Sequence, residues 1–470
     1  MKHFISALLC LGLLTPVLAQ KHFRTVDSEP SVSYDPLVFP QGNSGVWAVI
    51  RHQTSLSANE KDAEELISWC TVSRFGKDGQ GDRNFRLSVK YYPSLKGHQV
   101  VYALPMGEDL HVFSIVQDVG GNKMRLFLTA LSGDGKLGES KVIDELALHT
   151  IESDLGWMTW ANHSPDYSKV VIVWPLRMGY SVYNAAGERL VDSRFKKDSG
   201  IDITKAAVNN EGLPSLLLSM NARGFNKVSL GLSYHTSLTE GAKVCEVTTP
   251  PGGFSDKGVY LQCRSSGNPV LVMFGLDGHA YIKGMSFTEV NLSNGEVTRK
   301  VIADKSVDWS LEIGGSGMYL ADDGNIFIPS GKHDLHVLKI SPDFMAEGCL
   351  WVSRPYNYVT NSSVYRVFDG KTIRCFVVCQ EKALSKLPKL KPGFSEMDLK
   401  GPRSLIEVSR SGCGEQVVKT IASNVQLQEF NQKFLFAAGN HSYCVNGFVV
   451  LPGYVTNGKD KDPVFIVWEE

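Results

Sequence analysis

The sequence predicts an all-β chain, a single β-propeller of about seven four-stranded blades with eight as the alternative count, and three observations carry that prediction. Helical periodicity is nearly absent across the 470 residues. Short runs rich in β-branched and aromatic residues recur from one end to the other, among them GVWAVIRHQ, HVFSIVQ, MRLFLTAL, KVVIVW, PVLVMFG, LHVLKI, RCFVVC and VFIVW. Candidate first strands begin near residues 99, 155, 201, 255, 307, 360 and 426, a spacing of about fifty residues, which four strands and their turns occupy. A large all-β chain must also dispose of its sheet edges, and radial repetition does so.

Composition is that of an ordinary globular protein, 43% apolar and 21% charged. Forty-eight basic residues against 49 acidic ones leave a formal charge of −1, which excludes a global electrostatic footprint for nucleic acid or anionic membrane. Residues 1–19 read as an export leader: Lys2 supplies the positive start, Phe4 to Leu14 the apolar core, and Val17-Leu18-Ala19 a small-residue site cleaved after Ala19. Cys10 lies inside that apolar core rather than at its end, so lipidation is not expected. No later stretch reaches the ~18 apolar residues of a membrane span. The expected mature protein is therefore residues 20–470, one propeller domain, secreted or periplasmic, and monomeric.

Eight cysteines remain after the leader, an even count that permits disulfides in an oxidising compartment. Cys375 and Cys379 share a strand face but lie about 13 Å apart, too far to bond each other. Cys245 and Cys263 could meet across neighbouring strands, or be buried as small apolar side chains.

Along the chain, the first departure from strand pattern is SANEKDAEELISWC, a candidate short helix capped by Ser57 or Asp62. Hairpin signals follow at Asp78-Gly79, Asp134-Gly135, Asp277-Gly278, Asn294-Gly295, Asp323-Gly324, Asp369-Gly370 and Asn457-Gly458, with both central positions expected at positive φ. HSPDYSKVVIVW (163–174) and ISPDFMAEGCLWV (340–352) each place a Ser-Pro-Asp turn beside a strand, so Ser164 and Ser341 read as turn-formers rather than nucleophiles. Residues 381–403, with Lys382, Lys386, Lys389, Lys391, Lys400 and three prolines, read as a loop inserted in the sixth blade. The first and last strands each look like an incomplete sheet; combining them in one blade closes a ring of seven, and separate blades make eight.

SPDYSKVVIVW resembles the Ser-Pro-Asp-Gly-x-Lys-plus-strand signature of TolB-like propeller repeats, with Ser164, Pro165, Asp166 and Lys169 in the matching places. Tyr167 stands where that family has Gly, and the second copy keeps Ser341, Pro342 and Asp343. The resemblance spans about a dozen residues, implies a member of the secreted β-propeller superfamily, and carries no function.

Motifs for zinc hydrolysis, nucleophile elbows, Cys-x-x-Cys and EF-hand calcium are absent. Gly370-Lys371-Thr372 ends like a phosphate loop, but Tyr365 occupies the required glycine position. SGDGKLGE from Ser132 keeps only the Ser and Asp of the sialidase Asp-box. The catalytic candidates are Arg51 and His52, which adjacency on a strand places on opposite faces, with His111 and His163. Trp157 and Trp160 are weak ligand-binding candidates for sugar stacking. His333 and His336 are split between strand faces, so neither a metal site nor a cofactor is expected. Four sequons, at Asn162, Asn291, Asn361 and Asn440, are candidate glycosylation sites. The leading functional expectation is a binding or scaffolding module for a glycan or protein partner. The alternative is a polysaccharide-active enzyme, a sialidase-like glycoside hydrolase or a polysaccharide lyase, with its site at the propeller centre.

Overall fold

A computed structural model describes residues 23–25, 32–33, 37–43, 45–53, 69–76, 83–88, 95–118, 123–147, 160–174, 179–195, 200–221, 228–276, 282–303, 318–330, 336–350, 365–368, 373–380, 403–410, 416–422, 434–436, 443–457 and 460–469. Among the described residues there is no helix, and the strands form eight antiparallel sheets, six of four strands and two of five. The second sheet shows the plan: Leu95–Met106, Asp109–Asp118, Lys123–Leu131 and Lys141–Ala147 pair in sequence order. The third (Trp160–His163 to Arg189–Arg194), fourth (Ile201–Val208 to Lys243–Glu246), fifth (Gly253–Cys263 to Val297–Ile302), sixth (Tyr319–Leu320 to Ala346–Leu350) and seventh (Tyr365–Phe368 to Gln416–Ala422) repeat it.

The first and last sheets are irregular. In the first, Val32–Ser33 and Leu37–Gln41 share one edge of Gly45–Gln53, which continues to Trp69–Gly76 and Arg83–Ser88. In the eighth, Phe23–Thr25 pairs with the final strand Asp460–Glu469, so N- and C-terminal strands do combine in one sheet. The count is nevertheless eight, the larger of the two expected, because residues 32–88 also complete a sheet of their own. That shift places the 381–403 insertion in the seventh sheet, between its second and third strands; apart from Arg403, which begins a strand, it lies outside the described residues. The candidate helix falls outside them too, except Trp69 and Cys70, which open a strand.

Why the strand signals are continuous rather than alternating is visible in the packing. Along Lys169–Val173, Val170 and Ile172 enter a core shared with the first and second sheets, while Val171 and Val173 enter another shared with the fourth. Along Pro269–Leu276, Leu271 and Met273 face the fourth sheet and Val270, Val272 and Phe274 face the sixth. Gly45–Gln53 sends Trp47 and Val49 toward the second sheet and Val46, Ala48 and Ile50 toward the eighth. A sheet covered on both faces needs apolar residues at every position, which is the pattern of a propeller blade held between neighbours. Fourth strands are the exposed margins: Lys141–Ala147 and Lys243–Glu246 present mostly solvent-facing residues.

Two local expectations are corrected. At Asp134-Gly135, Asn294-Gly295 and Asp323-Gly324 only the glycine has positive φ, at 89°, 73° and 85°. The 132–136 loop shows why: Gly135 N–H donates to Ser132 C=O at 2.8 Å and Ser132 N–H to Lys136 C=O at 2.9 Å, a type I turn closed by one left-handed residue. Cys245 and Cys263, on successive sheets, are free thiols packed in or against one apolar core, so the small-hydrophobe alternative holds for them. Burial pushes the Cys263 thiol up to about 12.

Candidate functional site: the hairpin-tip face

In a four-stranded antiparallel sheet the first-to-second and third-to-fourth hairpins emerge at the same end. Hydrogen bonds then fix those ends on one side of the molecule. Asn446 Nδ2, on an eighth-sheet tip, donates to Gly42 and Gly45 carbonyls of the first at 3.1 and 2.8 Å, and Gly42 N–H donates to Gly107 C=O of the second at 2.9 Å. His111 Nδ1 bonds Ala185 C=O, joining the second sheet to a third-sheet tip. Asp166 N–H donates to Asn210 Oδ1 (3.2 Å), Asn209 Nδ2 to Gly267 C=O (3.5 Å), and Ser265 Oγ to Asp322 Oδ1 (3.2 Å), carrying the series to the sixth sheet. Arg74 adds a clamp between the first two sheets, with Nε on Gln41 Oε1 at 2.8 Å and Nη1 on Gly133 C=O at 2.6 Å.

On this face the 164–168 turn, between the first and second strands of the third sheet, carries an aromatic group. Ser164 is fully buried; its hydroxyl donates to Asp166 Oδ1 (2.6 Å) and accepts from the N–H groups of Ser168 and Lys169 at 3.1 and 3.0 Å. That cage holds Tyr167 at φ 60°, a conformation glycine adopts without the Cβ clash. Tyr167 stacks on His163 with centroids 4.4 Å apart and meets Phe39 of the first sheet edge-on at 6.0 Å; Tyr102 of the second sheet lies 6.0 Å from the His163 ring. Desolvation holds the His163 ring below its ordinary pKa, against the opposing pull of its bond from Nδ1 to Ser164 C=O (2.7 Å) and of Asp166. A neutral ring that donates from Nδ1 keeps its lone pair on Nε2. Burial pushes the Tyr167 hydroxyl up, with Cys444 of the eighth sheet adding to the effect. Four sheets thus converge on an uncharged aromatic group.

The remaining candidates are dispersed. Arg51 and His52 sit on the second strand of the first sheet, in register with Cys70 and Trp69. Trp160 packs into the core between third and fourth sheets, three residues and one strand face away from His163; Trp157 and His333 lie outside the described residues. Ser341 Oγ accepts Met345 N–H at 3.1 Å, so both Ser-Pro-Asp serines are turn-formers. Asn162 Nδ2 donates to Ala206 C=O at 3.1 Å, tying its sequon into the third-to-fourth-sheet contact.

Sequence reading missed Phe39 and Tyr102, which look like any strand residue, and an ionic network between second and third sheets. There Asp144, 6% exposed, accepts from Arg189 (3.0 Å), Arg194 (3.1 Å) and Tyr183. Arg194 also pairs with Asp192 at 2.8 Å and lies over Trp174, 4.5 Å from its ring. The one signal that pointed to the central group was an aromatic residue at a position where the repeat pattern has glycine.

No family model matches the chain, and no curated protein matches it in sequence. Solved structures resemble it at low identity. The propeller domain of the Trilobed protease from Pyrococcus furiosus is 11% identical over 85% of this chain and 98% of that one, with a TM-score of 0.39. A polysaccharide lyase is 10% identical over 78% and 89%, TM-score 0.39, and the NanB sialidase from Streptococcus pneumoniae 10% over 98% and 72%, TM-score 0.34. The chain covers 43% of a puromycin hydrolase and 55% of a prolyl endopeptidase chain that it also resembles. At these scores the similarities carry no inference about function or site.

Proposed function

We propose that the protein is an exported β-propeller that serves as a binding or scaffolding module for a glycan or protein partner. The observation that supports this reading is how the nominated polar groups on the tip face are used. His111 ties a second-sheet strand to a third-sheet tip, the His163 Nδ1 is held by Ser164, and Asp166 closes its own turn. Groups committed to structural bonds build a rigid platform, and a rigid platform bearing loops is a generic recognition surface.

The test is product release by residues 20–470 from a panel of neutral and anionic polysaccharides, with calcium and with chelator. Silence across the panel, together with retention of at least one glycan or protein on immobilised propeller, is the expected result. New reducing ends or unsaturated products replace this reading with the enzymatic one, and His163, whose Nε2 lone pair suits proton transfer, becomes the first residue to substitute, followed by Arg51 and His52.

A further inference from the structure

Two properties coincide on the hairpin tips. Four large apolar side chains stand exposed there, Met106 (48%), Leu137 (49%), Leu238 (45%) and Met345 (65%), whereas the other exposed ones among the described residues, Val142, Val244 and Val301, lie on fourth strands. The ten described hairpin loops between residues 107 and 345 also present eleven exposed carboxylates, among them Glu108, Asp134, Glu211, Glu240, Glu296 and Asp343, and a single exposed amine, Lys136. The whole chain carries only −1, so these described tips are negative through segregation of charge, even with exposed Lys141, Arg189 and Lys243 at their borders. Asp323 accepts from Asn325 within its own tip and Asp322 from Ser265 of a neighbouring one, while Lys136 pairs with Asp134 at 2.7 Å and Lys243, which opens a fourth strand, with Glu240 at 3.9 Å. Asp134, Asp166 and Asp323 all ionise below the usual carboxylate range, so the charge persists at any physiological pH.

We infer that the hairpin-tip face docks a protein partner through a cationic segment bearing apolar side chains. Exposed apolar tips reward a partner that covers them, and carboxylates along successive tips select lysine- or arginine-rich surfaces while repelling anionic polysaccharides. The inference rests on the binding-module reading and narrows it to one face and one class of partner.

The experiment measures fluorescence anisotropy of labelled Lys/Leu, Lys/Ser and Glu/Leu peptides of equal length titrated with residues 20–470 at low and high salt. The Lys/Leu peptide is expected to bind, to weaken at least about tenfold at high salt, and to exceed the Lys/Ser peptide; the Glu/Leu peptide is expected not to bind. A quadruple variant, Glu108→Gln, Glu139→Gln, Glu211→Gln and Glu240→Gln, should lose about tenfold or more. A control that changes net charge equally at the opposite strand ends, Ala147→Lys, Thr249→Lys, Val301→Lys and Ala303→Lys, should keep most of the affinity. Equal losses in both variants, or no binding of the Lys/Leu peptide, overturn the proposal. Peptide binding lost alongside a glycan retained elsewhere on the ring removes this inference and leaves the binding-module reading, whereas product release from the polysaccharide panel removes that reading itself.

Discussion

Ser164 and Ser341 each open a Ser-Pro-Asp turn whose fourth residue, Tyr167 or Phe344, is an aromatic side chain at φ 60°. The first turn joins the first and second strands of its sheet; the second joins the third and fourth strands of another. Ser164 is fully buried and its hydroxyl makes three bonds, while Ser341 is partly exposed and accepts one N–H from Met345. Tyr167 reaches the first sheet, whereas Phe344 leans on Phe287 at 4.3 Å with Lys300 near its ring. One local code therefore builds the same bend twice, and position along the sheet decides how much of the molecule depends on it.

Replacing the aromatic residue tests this most sharply. Tyr167→Gly relieves about 1 kcal/mol of left-handed strain but empties a packed site whose aromatic loss costs roughly 3–5 kcal/mol. A net loss of about 2–4 kcal/mol is expected on denaturant unfolding, against a clearly smaller loss for Phe344→Gly, whose ring meets one neighbouring sheet; equal effects would show that the two turns are equivalent. The hydroxyls come next. Ser164→Ala removes a buried hydroxyl that bonds Asp166 and the N–H groups of Ser168 and Lys169 and should cost about 2 kcal/mol, while Ser341→Ala should cost about 0.5 kcal/mol or less. The Asn mutant of Asp144 offers a reference for inter-sheet coupling outside either turn: Asp144→Asn leaves two arginines facing a neutral amide, and a melting shift at least as large as that of Ser164→Ala is expected.

The smallest effect is the dependence on pH. Burial lowers the His163 pKa in the folded protein below the 6.5 of an ordinary ring. Between those two values the unfolded chain binds more protons, so the contribution of this ring to stability is complete above about pH 6.5 and is lost as pH falls below it. His163→Gln should flatten that part of the stability profile without abolishing it, because burial also lowers His235. Ile340, the counterpart of His163 before the second turn, has nothing to titrate, so Ile340→Val should leave the profile parallel to the parent. A profile unchanged by His163→Gln would remove the ring from the pH account.

How far the sequence could be read follows from the range of each interaction. KVVIVW is legible as a strand buried on both faces because the cause lies within the run itself, every residue apolar. Ser-Pro-Asp is legible as a turn because the hydroxyl, the fixed φ and the carboxylate act within five residues. Hairpin type was read less well: Asp134-Gly135 permits two left-handed residues, and the loop closed by Ser132 N–H on Lys136 C=O uses one. The central aromatic group was legible only as an oddity at Tyr167, since nothing near Phe39 or Tyr102 in sequence announces that they meet it.

By itself, then, the sequence determined the strand class and the places where the chain bends, because these depend on backbone preference and on apolar runs that no other arrangement would cover. Tertiary structure alone decided that there are eight sheets rather than seven, that Asp144 draws Arg189 and Arg194 across a sheet boundary, and that scattered acidic and apolar tips share one face. Those facts depend on which distant segments become neighbours, a choice made by packing many sheets at once, which no single stretch of the chain encodes.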